Sequence, residues 1–286
     1  MFEREICRHP DVAHVHYTPH TYNETHYWVK AACILPTTPD AGFSNGIRPH
    51  SYGSRATTRK SLLKTIQGNV ADFKVSDNDE QLVFEGWDAL CHEFARPVFF
   101  EKSPHHAHHP AALELIMKWA KTTNHKVRVI GLVRNPMAVM YSALQLFHTD
   151  PGQRQFGWVH ANRNILKLAE QLEQDQFKLI RYEDLVKDAV TRFREVCDFI
   201  GIAHQDQAGE SVNARSLDKW RDDPLFDFQL DQTVASYARE LGYDDTDLYN
   251  PPKPEASYFS QIRRDTFLKF KRVQSRIYNK IKRLTD

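Results

Sequence analysis

The chain is poor in cysteine, in long apolar runs and in net charge, and each shortage excludes a class of protein. Its cysteines form no CxxC pair and stand at positions 7, 33, 91 and 197. This spacing disfavours a disulfide framework and favours reduced thiols in a cytoplasmic protein. No apolar run reaches the length of about 18 residues that a membrane-spanning helix needs. With 38 basic and 37 acidic side chains, no basic surface field predicts a nucleic-acid partner.

What remains is an ordinary globular composition, with 41% apolar and 26% charged residues. Short apolar segments typical of buried strands cover 97–100, 126–133 and 177–180. Helical spacing covers 56–72, 80–94, 109–122, 136–147, 160–175, 187–200 and 231–241. Short strands that alternate with helices predict an α/β fold with a doubly wound, mostly parallel sheet flanked by helices. Ligands of such sheets bind beyond the carboxyl ends of the strands.

The strongest candidate site is the end of the second predicted strand. The sequence Val-Arg-Asn-Pro ends this strand at Arg134, and Pro136 is well placed to begin a helix. Ser142 lies two turns along that helix. A guanidinium and a hydroxyl near a helix N-terminus favour a phosphate group. Taken alone, Arg134 could equally be a strand-end residue in a salt bridge.

The other two predicted strands also end in candidate residues. Lys102 follows the first strand, where its ammonium can neutralise anionic oxygens during group transfer. Tyr182 follows the third strand, where its ring could lie against a purine. Alone, Lys102 is only weak evidence for a site, and Tyr182 is better explained as a packed tyrosine.

Together and in this order, the three motifs resemble those of sulfotransferases that use 3′-phosphoadenosine 5′-phosphosulfate (PAPS). The resemblance covers about residues 9–254 and implies a P-loop nucleotide hydrolase-like sulfotransferase fold with PAPS as co-substrate. In that family, residues matching Arg134 and Ser142 hold the 3′-phosphate, and the tyrosine matching Tyr182 lies near the adenine. The acceptor class stays open, as a hydroxyl or amine of a carbohydrate, a lipid or a protein tyrosine.

The C-terminal part is similar to protein-tyrosine sulfotransferases in particular. There a lysine before a tryptophan reaches the cofactor, which implies a cofactor contact for Lys219. Two residues depart from the pattern, since Asn135 replaces the usual aspartate and Leu146 stands where that subgroup has an arginine. The resemblance implies a sulfotransferase domain at 1–254, and the residue pattern after the prolines at 251–254 predicts a basic amphipathic helix at 255–286.

The catalytic groups are also implied by the resemblance. Family members carry a catalytic glutamate in the turn after a His-Pro-Asp-Val segment, which this chain has from His9. We therefore expect Glu24 to be the base, with His26 as the alternative. Lys102 is expected to assist departure of 3′,5′-ADP or to shield the transferring sulfuryl oxygens.

Family members begin with a strand and an Arg-Ser-Gly-Thr-Thr-type loop that holds the 5′-phosphosulfate. The chain starts inside the following helix, so we expect Met1 to be an internal methionine and the domain to be N-terminally incomplete. The segment 53–61 mimics a phosphate loop, but no glycine precedes Lys60, and we interpret it as a loop and the start of a helix. The alternative function is thus a truncated, non-catalytic nucleotide-binding relic. A kinase is disfavoured because no Gly-Lys-[Ser/Thr] loop is present.

Two further features are candidate sites. Nine of the 15 histidines lie in 9–26 and 105–109, without the converging ligand spacing of a zinc site, so no metal is expected. We interpret these clusters as polar lining of an acceptor pocket. The helix at 255–286 carries nine Lys or Arg residues opposite an apolar stripe. It either packs on the domain or makes a peripheral contact with an anionic membrane.

Overall fold

The structure is a computed structural model that describes residues 1–35, 54–205, 207–212 and 217–253, with two further helical positions at 262 and 266. Its contacts divide the chain into two compact units. The first unit comprises 1–132, 160–180 and 184–212. The second comprises 133–159, 181–183 and 213–286.

Helices and strands follow one another along the described chain. Up to residue 120 they are α1 (Phe2–Ile6), β1 (Val12–Ala13), α2 (Tyr27–Ile34), α3 (Arg55–Gln67), α4 (Asp79–Phe94), β2 (Val98–Phe99) and α5 (Pro110–Ala120). Short 3₁₀ helices at Thr21–Asn23 and Pro104–His108 precede α2 and α5. The remaining elements are β3 (Val129–Val133), α6 (Pro136–Phe147), α7 (Pro151–Ala169), β4 (Phe177–Arg181), α8 (Tyr182–Lys187), α9 (Ala189–Ile200), α10 (Lys219–Asp222), α11 (Gln232–Glu240) and α12 (Asp245–Leu248).

The described strands form two pairs. β1 and β2 are parallel, with Val12 opposite Val98, and β3 lies beside β4. Different helices cover the two faces of the second pair. Ile130 packs in one core cluster with Phe193 of α9, whereas Val129 packs in another with Leu168 of α7. The predicted α/β class, with parallel strands and flanking helices, is confirmed.

The main core of the first unit is aromatic. Trp28 of α2, Trp87 of α4 and Trp119 of α5 are mutual neighbours, with ring centroids 5.2–6.2 Å apart. Such ring pairs add stabilisation beyond the burial of apolar area. Ser54 accepts a hydrogen bond from the Thr57 amide at the start of α3. The segment that mimics a phosphate loop is therefore the cap of a helix over its described residues.

The second unit is built around α6. Its apolar face buries Met137 and Met140 against Trp158, Trp220 and residues of α11. Both α10 and α12 pack against α6. The helix α11 ends before Gly242, whose φ of +82° is the left-handed conformation that favours glycine after a helix.

Sequence periodicity predicted α6 correctly but missed several elements, among them α2, α10 and α12, and three further differences have local causes. The strand β1 has two residues, too few to show alternation. The helix α7 begins at Pro151 rather than near residue 160, because its first turns are polar. The helix α8 follows β4 without a loop and places Tyr182 at its first position.

One expectation concerns residues outside the described part. It is the C-terminal helix at 255–286, of which only positions 262 and 266 are described. The four cysteines are free, as predicted, and Cys197 lies on a buried face of α9 with Phe193. Within the described ranges, no helix has both the length and the apolar character to cross a bilayer.

Candidate active site

Glu24 lies in a strained turn of the first unit, between β1 and α2. Tyr22, Asn23 and His26 all have left-handed backbone conformations, with φ between 51° and 64°. Such values are uncommon for residues other than glycine and concentrate at functional sites. The Thr18 hydroxyl donates to the Glu24 carbonyl oxygen at 2.6 Å, which fixes the turn from within. The local backbone is therefore held in one conformation by its surroundings.

Three side chains converge on the Glu24 carboxylate, which is buried. Lys102 Nζ donates to Oε1 at 2.9 Å, and His26 Nε2 lies 2.8 Å from Oε2. His105 Nδ1 is 3.3 Å from the same Oε2. The two catalytic residues predicted from the sequence, Glu24 and Lys102, are thus brought together as an ion pair.

Lys102 follows β2, as expected for a lysine at the carboxyl end of a strand. Besides Glu24, its ammonium donates to the carbonyl oxygen of Tyr22 at 3.1 Å and pairs with Glu3 at 3.2 Å. Three acceptors match the three donors of an ammonium group. In the described structure, the lysine is therefore committed to the turn that carries Glu24.

The contacts decide the protonation of this cluster. Burial would raise the pKa of Glu24, but hydrogen bonds from His105, His26 and Lys102 outweigh it and hold that pKa well below its ordinary value. Burial would lower the pKa of Lys102, but the hydrogen bond to Glu24 and the charge of Glu24 outweigh burial and hold that pKa above its ordinary value. For His26, burial prevails and lowers the pKa. At neutral pH the cluster contains a carboxylate, an ammonium and a neutral His26 imidazole.

A second layer of hydrogen bonds fixes His26 from behind. Its backbone amide donates to Ser103 Oγ at 3.0 Å. The hydroxyls of Ser103 and Thr25 both donate to Glu101 Oε1. The segment after β2 thus contributes to the site through Ser103 as well as Lys102. Buried groups of this kind orient the side chains in front of them.

Histidines contribute more to this cluster than the sequence predicted. We expected polar lining, but His106 and His109 are buried, with 7% and 2% exposure. Burial lowers the pKa of His106 to about 3 and that of His109 to about 4. His105 and Glu3 contact the predicted catalytic pair and were not singled out. The position of His105, three residues after Lys102 at a strand end, was the available signal.

Three residues of the cluster could hold a metal ion. The ligand atoms of Glu24, His26 and His105 lie within 4.8 Å of one another. However, the ammonium of Lys102 lies 2.9 Å from the same carboxylate. A cation held there would face a like charge at short range. The donor set is suitable for a metal, but its charge environment is not.

In the second unit, Arg134 and Tyr182 lie together at the ends of β3 and β4. The guanidinium carbon of Arg134 is 4.7 Å from the centroid of the Tyr182 ring. The indole N–H of Trp158 donates to the Arg134 carbonyl oxygen at 3.0 Å. Arg134 is half-buried and held at both its backbone and its side chain. The pairing of two sequence-predicted residues creates a cationic position beside an aromatic face.

Ser142 lies on α6, the helix that follows Arg134, and Lys219 lies on α10, which packs against α6. Asn135 accepts a hydrogen bond from the Ala138 amide at 3.0 Å and caps α6. Ser142 lies two turns along α6 and is half-buried. Lys219 is exposed at the first position of α10, a helix that packs against α6. At the start of α6 the backbone amides of Asn135 and Ala138 are already bonded, to Glu183 and to the Asn135 side chain, so the cationic group at this position is the Arg134 guanidinium.

Comparison with known proteins identifies the family and similar folds. The model of the sulfotransferase family matches residues 4–206. The sulfotransferase domain of the Synechococcus PCC 7002 olefin synthase is similar in fold, with a TM-score of 0.52 and 20% identity over 84% of this chain and 88% of that one. The sulfotransferase domain of the curacin biosynthetic pathway has a TM-score of 0.50 and 18% identity over 82% and 97% of the two chains. No curated protein is significantly similar in sequence.

Proposed function

Because the chain belongs to the sulfotransferase family, we propose that it moves a sulfuryl group from PAPS to an acceptor hydroxyl or amine. The acceptor belongs to a carbohydrate, a lipid or a protein tyrosine. The observation that carries the choice of donor is the Arg134–Tyr182 pair at the ends of two adjacent strands. It supplies a cation for a phosphate and a ring for a purine at one position.

In this proposal the nucleotide is held by the second unit. Arg134 and Ser142 bind the 3′-phosphate, since a guanidinium forms strong charge-assisted hydrogen bonds to phosphate oxygens. Tyr182 lies near the adenine, and Lys219 approaches the nucleotide from the start of α10. The half-buried position of Arg134 strengthens such a contact, because water screens it less.

The chemical step is carried by Glu24 and Lys102. Glu24 accepts the proton of the acceptor hydroxyl or amine as that atom forms its bond to sulfur. The bond between sulfur and the bridging oxygen of PAPS breaks, and 3′,5′-ADP leaves with the electron pair. Lys102 neutralises the sulfuryl oxygens or the leaving phosphate, where negative charge grows in the transition state.

The ion pair between Glu24 and Lys102 adds a change in the basicity of Glu24 to this mechanism. While Lys102 donates to Glu24, the pKa of that carboxyl is well below its ordinary value and Glu24 is a weak base. When Lys102 turns to the sulfuryl group, Glu24 loses a stabilising donor and its pKa rises. Glu24 thus becomes basic only when the donor is bound. His26 is the alternative base, with Glu24 orienting its ring.

Calorimetry with two nucleotides tests the donor assignment. Arg134→Ala should lower the affinity for 3′,5′-ADP by about 2–4 kcal/mol, the value of a charge-assisted pair that leaves its partner unsatisfied. The affinity for 5′-AMP, which lacks the 3′-phosphate, should change much less. Arg194→Ala, which removes an exposed arginine of α9, is the matched control. Equal losses for both nucleotides would remove the 3′-phosphate assignment.

A further inference from the structure

The short segment after α11, residues 242–248, contacts all three elements that carry the proposed nucleotide ligands. These elements are the β3–α6 turn with Arg134, the β4–α8 junction with Tyr182, and α10 with Lys219. The segment lies beyond the residues that the family model matches. We name it the C-terminal clasp. Its contacts are hydrogen bonds and one cation–π contact between residues of the second unit.

Glu183 joins the two strand ends and is itself held by the clasp. Its Oε1 accepts the backbone N–H of Asn135 at 2.9 Å. Its Oε2 accepts the hydroxyl of Tyr243 at 2.9 Å. The carboxylate of Glu183, the residue after Tyr182, therefore fixes the backbone of Asn135, the residue after Arg134. The buried Tyr243 ring keeps that carboxylate in place.

The side-chain amide of Asn135 makes a second connection. Its Oδ1 caps α6 at Ala138, and its Nδ2 donates to the carbonyl oxygen of Asp247 at 2.6 Å. An ionised aspartate could provide the cap but has no N–H to donate. It would place a carboxylate oxygen against the Asp247 carbonyl. The departure from the family's usual aspartate is thus explained by a contact that only the amide makes.

Two arginines complete the clasp. Arg181 donates to the Gly242 carbonyl oxygen at 2.7 Å, and its guanidinium carbon lies 4.5 Å from the Tyr243 ring centroid. Arg221 of α10 donates to the Asp247 carboxylate at 3.2 Å. The same short segment therefore holds β4 at one end and α10 at the other.

We propose that the C-terminal clasp is a positioning device that sets Arg134, Tyr182 and Lys219 in register for one nucleotide. The proposal rests on the proposed function, because it assigns the ligands that the clasp aligns. None of the clasp residues need touch the nucleotide. Binding sites depend on such supporting hydrogen bonds, since small displacements of a charged ligand remove its best contacts. The position of Arg134 depends most on the clasp, because Glu183 accepts a hydrogen bond from the backbone N–H of the next residue, Asn135.

Tyr243→Phe tests the clasp with little change in shape. It removes the hydroxyl that orients Glu183 and keeps the buried ring. We expect the Kd for 3′,5′-ADP to rise about tenfold, as for the loss of one hydrogen bond to a charged group. The Kd for 5′-AMP should change less than about twofold, since Arg134 contributes little to it. Tyr249→Phe is the control, because its hydroxyl contacts Arg239 and none of the three ligand-bearing elements.

Asn135→Asp provides a second, independent variant. It keeps the helix cap but loses the donor to Asp247, and the same selective loss of 3′,5′-ADP affinity is expected. The double variant with Tyr243→Phe should lose less than the sum of the two, because both act through one clasp. Equal losses for 3′,5′-ADP and 5′-AMP in both variants would mean general destabilisation and would overturn the proposal.

Hydrogen exchange separates failure of the clasp from failure of the proposed function. Tyr243→Phe should speed amide exchange at 134–142 and 181–183 relative to Tyr249→Phe, whether or not a nucleotide binds. If the wild-type protein binds no 3′,5′-ADP, the proposed donor is wrong and exchange alone decides on the clasp. Unchanged exchange at both segments would overturn the clasp even if 3′,5′-ADP binds tightly.

Discussion

Glu24 in the first unit and Arg134 in the second are both charged side chains of the candidate site, but the contacts that the structure gives them differ in kind. The Glu24 carboxylate meets the ammonium of Lys102 and the imidazoles of His26 and His105. The Arg134 guanidinium lies over the ring of Tyr182, and the Arg134 carbonyl oxygen accepts the indole N–H of Trp158. The first arrangement changes its charge state when one partner moves. The second keeps its geometry and offers its charge to a ligand.

This difference separates two kinds of task. A carboxylate whose pKa depends on a mobile ammonium can be switched between a weak and a strong base, which suits proton transfer. A guanidinium that lies beside an aromatic ring at a strand end suits binding of a phosphate. Variants of the first region should therefore alter turnover, and variants of the second should alter affinity.

The largest expected effect is on the proposed base. Glu24→Gln in the full-length protein should lower kcat about a hundredfold or more, since general base catalysis contributes that much. The affinity for 3′,5′-ADP should stay within about twofold of wild type. Steady-state kinetics and calorimetry measure the two. A parallel loss of nucleotide affinity would show that Glu24 supports the structure instead.

His26→Asn is the companion of this variant, because an asparagine amide can still donate towards Glu24 Oε2. If Glu24 is the base, kcat should fall less than about tenfold. If kcat falls as far as it does in Glu24→Gln, the base is His26, and Glu24 orients its ring.

A smaller effect is expected when Lys102, which holds the pKa of Glu24 low, is replaced. Lys102→Ala should lower kcat about thirtyfold and affinity much less, because the charge that it neutralises grows in the transition state. It should also raise the pKa of Glu24, since a hydrogen bond and an opposite charge are lost. The acid limb of the pH–rate profile should therefore move to higher pH. Lys102→Arg, which keeps the charge, is the control, and an unchanged rate for Lys102→Ala would return this lysine to a structural role.

The smallest expected effect is on the free energy of unfolding and concerns Lys30, a buried lysine of the first unit. Lys30 is fully buried, its ammonium donates to Thr65, and burial lowers its pKa to about 7. Between pH 7 and the ordinary lysine pKa of about 10.4, the unfolded chain binds more protons than the folded one. The free energy of unfolding therefore rises with pH in this range, by about 1–2 kcal/mol from pH 7 to 9.

Lys30→Met should remove this rise, as measured by urea unfolding at pH 7, 8 and 9. The variant should also be more stable than wild type at pH 7, because an apolar chain replaces a buried amine. Lys64→Met, on an exposed position of α3, should keep the wild-type slope. A rise in Lys30→Met equal to that of wild type would place the proton uptake on another group.

Much of the candidate site is visible in the sequence because its positions depend on neighbours a few residues away. An apolar run ends at Arg134, and Asn135 and Pro136 are suited to the first positions of a helix, so the β3–α6 turn forms as predicted. The same holds for Lys102 after β2. Local pattern did not predict α8, because residues 182–187 follow a strand without any turn signal.

Chain order and local periodicity thus account for where the charged and aromatic side chains stand: at strand ends and helix starts. What those side chains meet depends on folding. Lys102 reaches Glu24 across 78 positions of sequence, and Asn135 reaches Asp247 across 112. Burial and these distant donors then set the pKa of Glu24 and the choice of asparagine over aspartate. Both effects arise from desolvation and from hydrogen bonds between distant segments, and no local spacing encodes either.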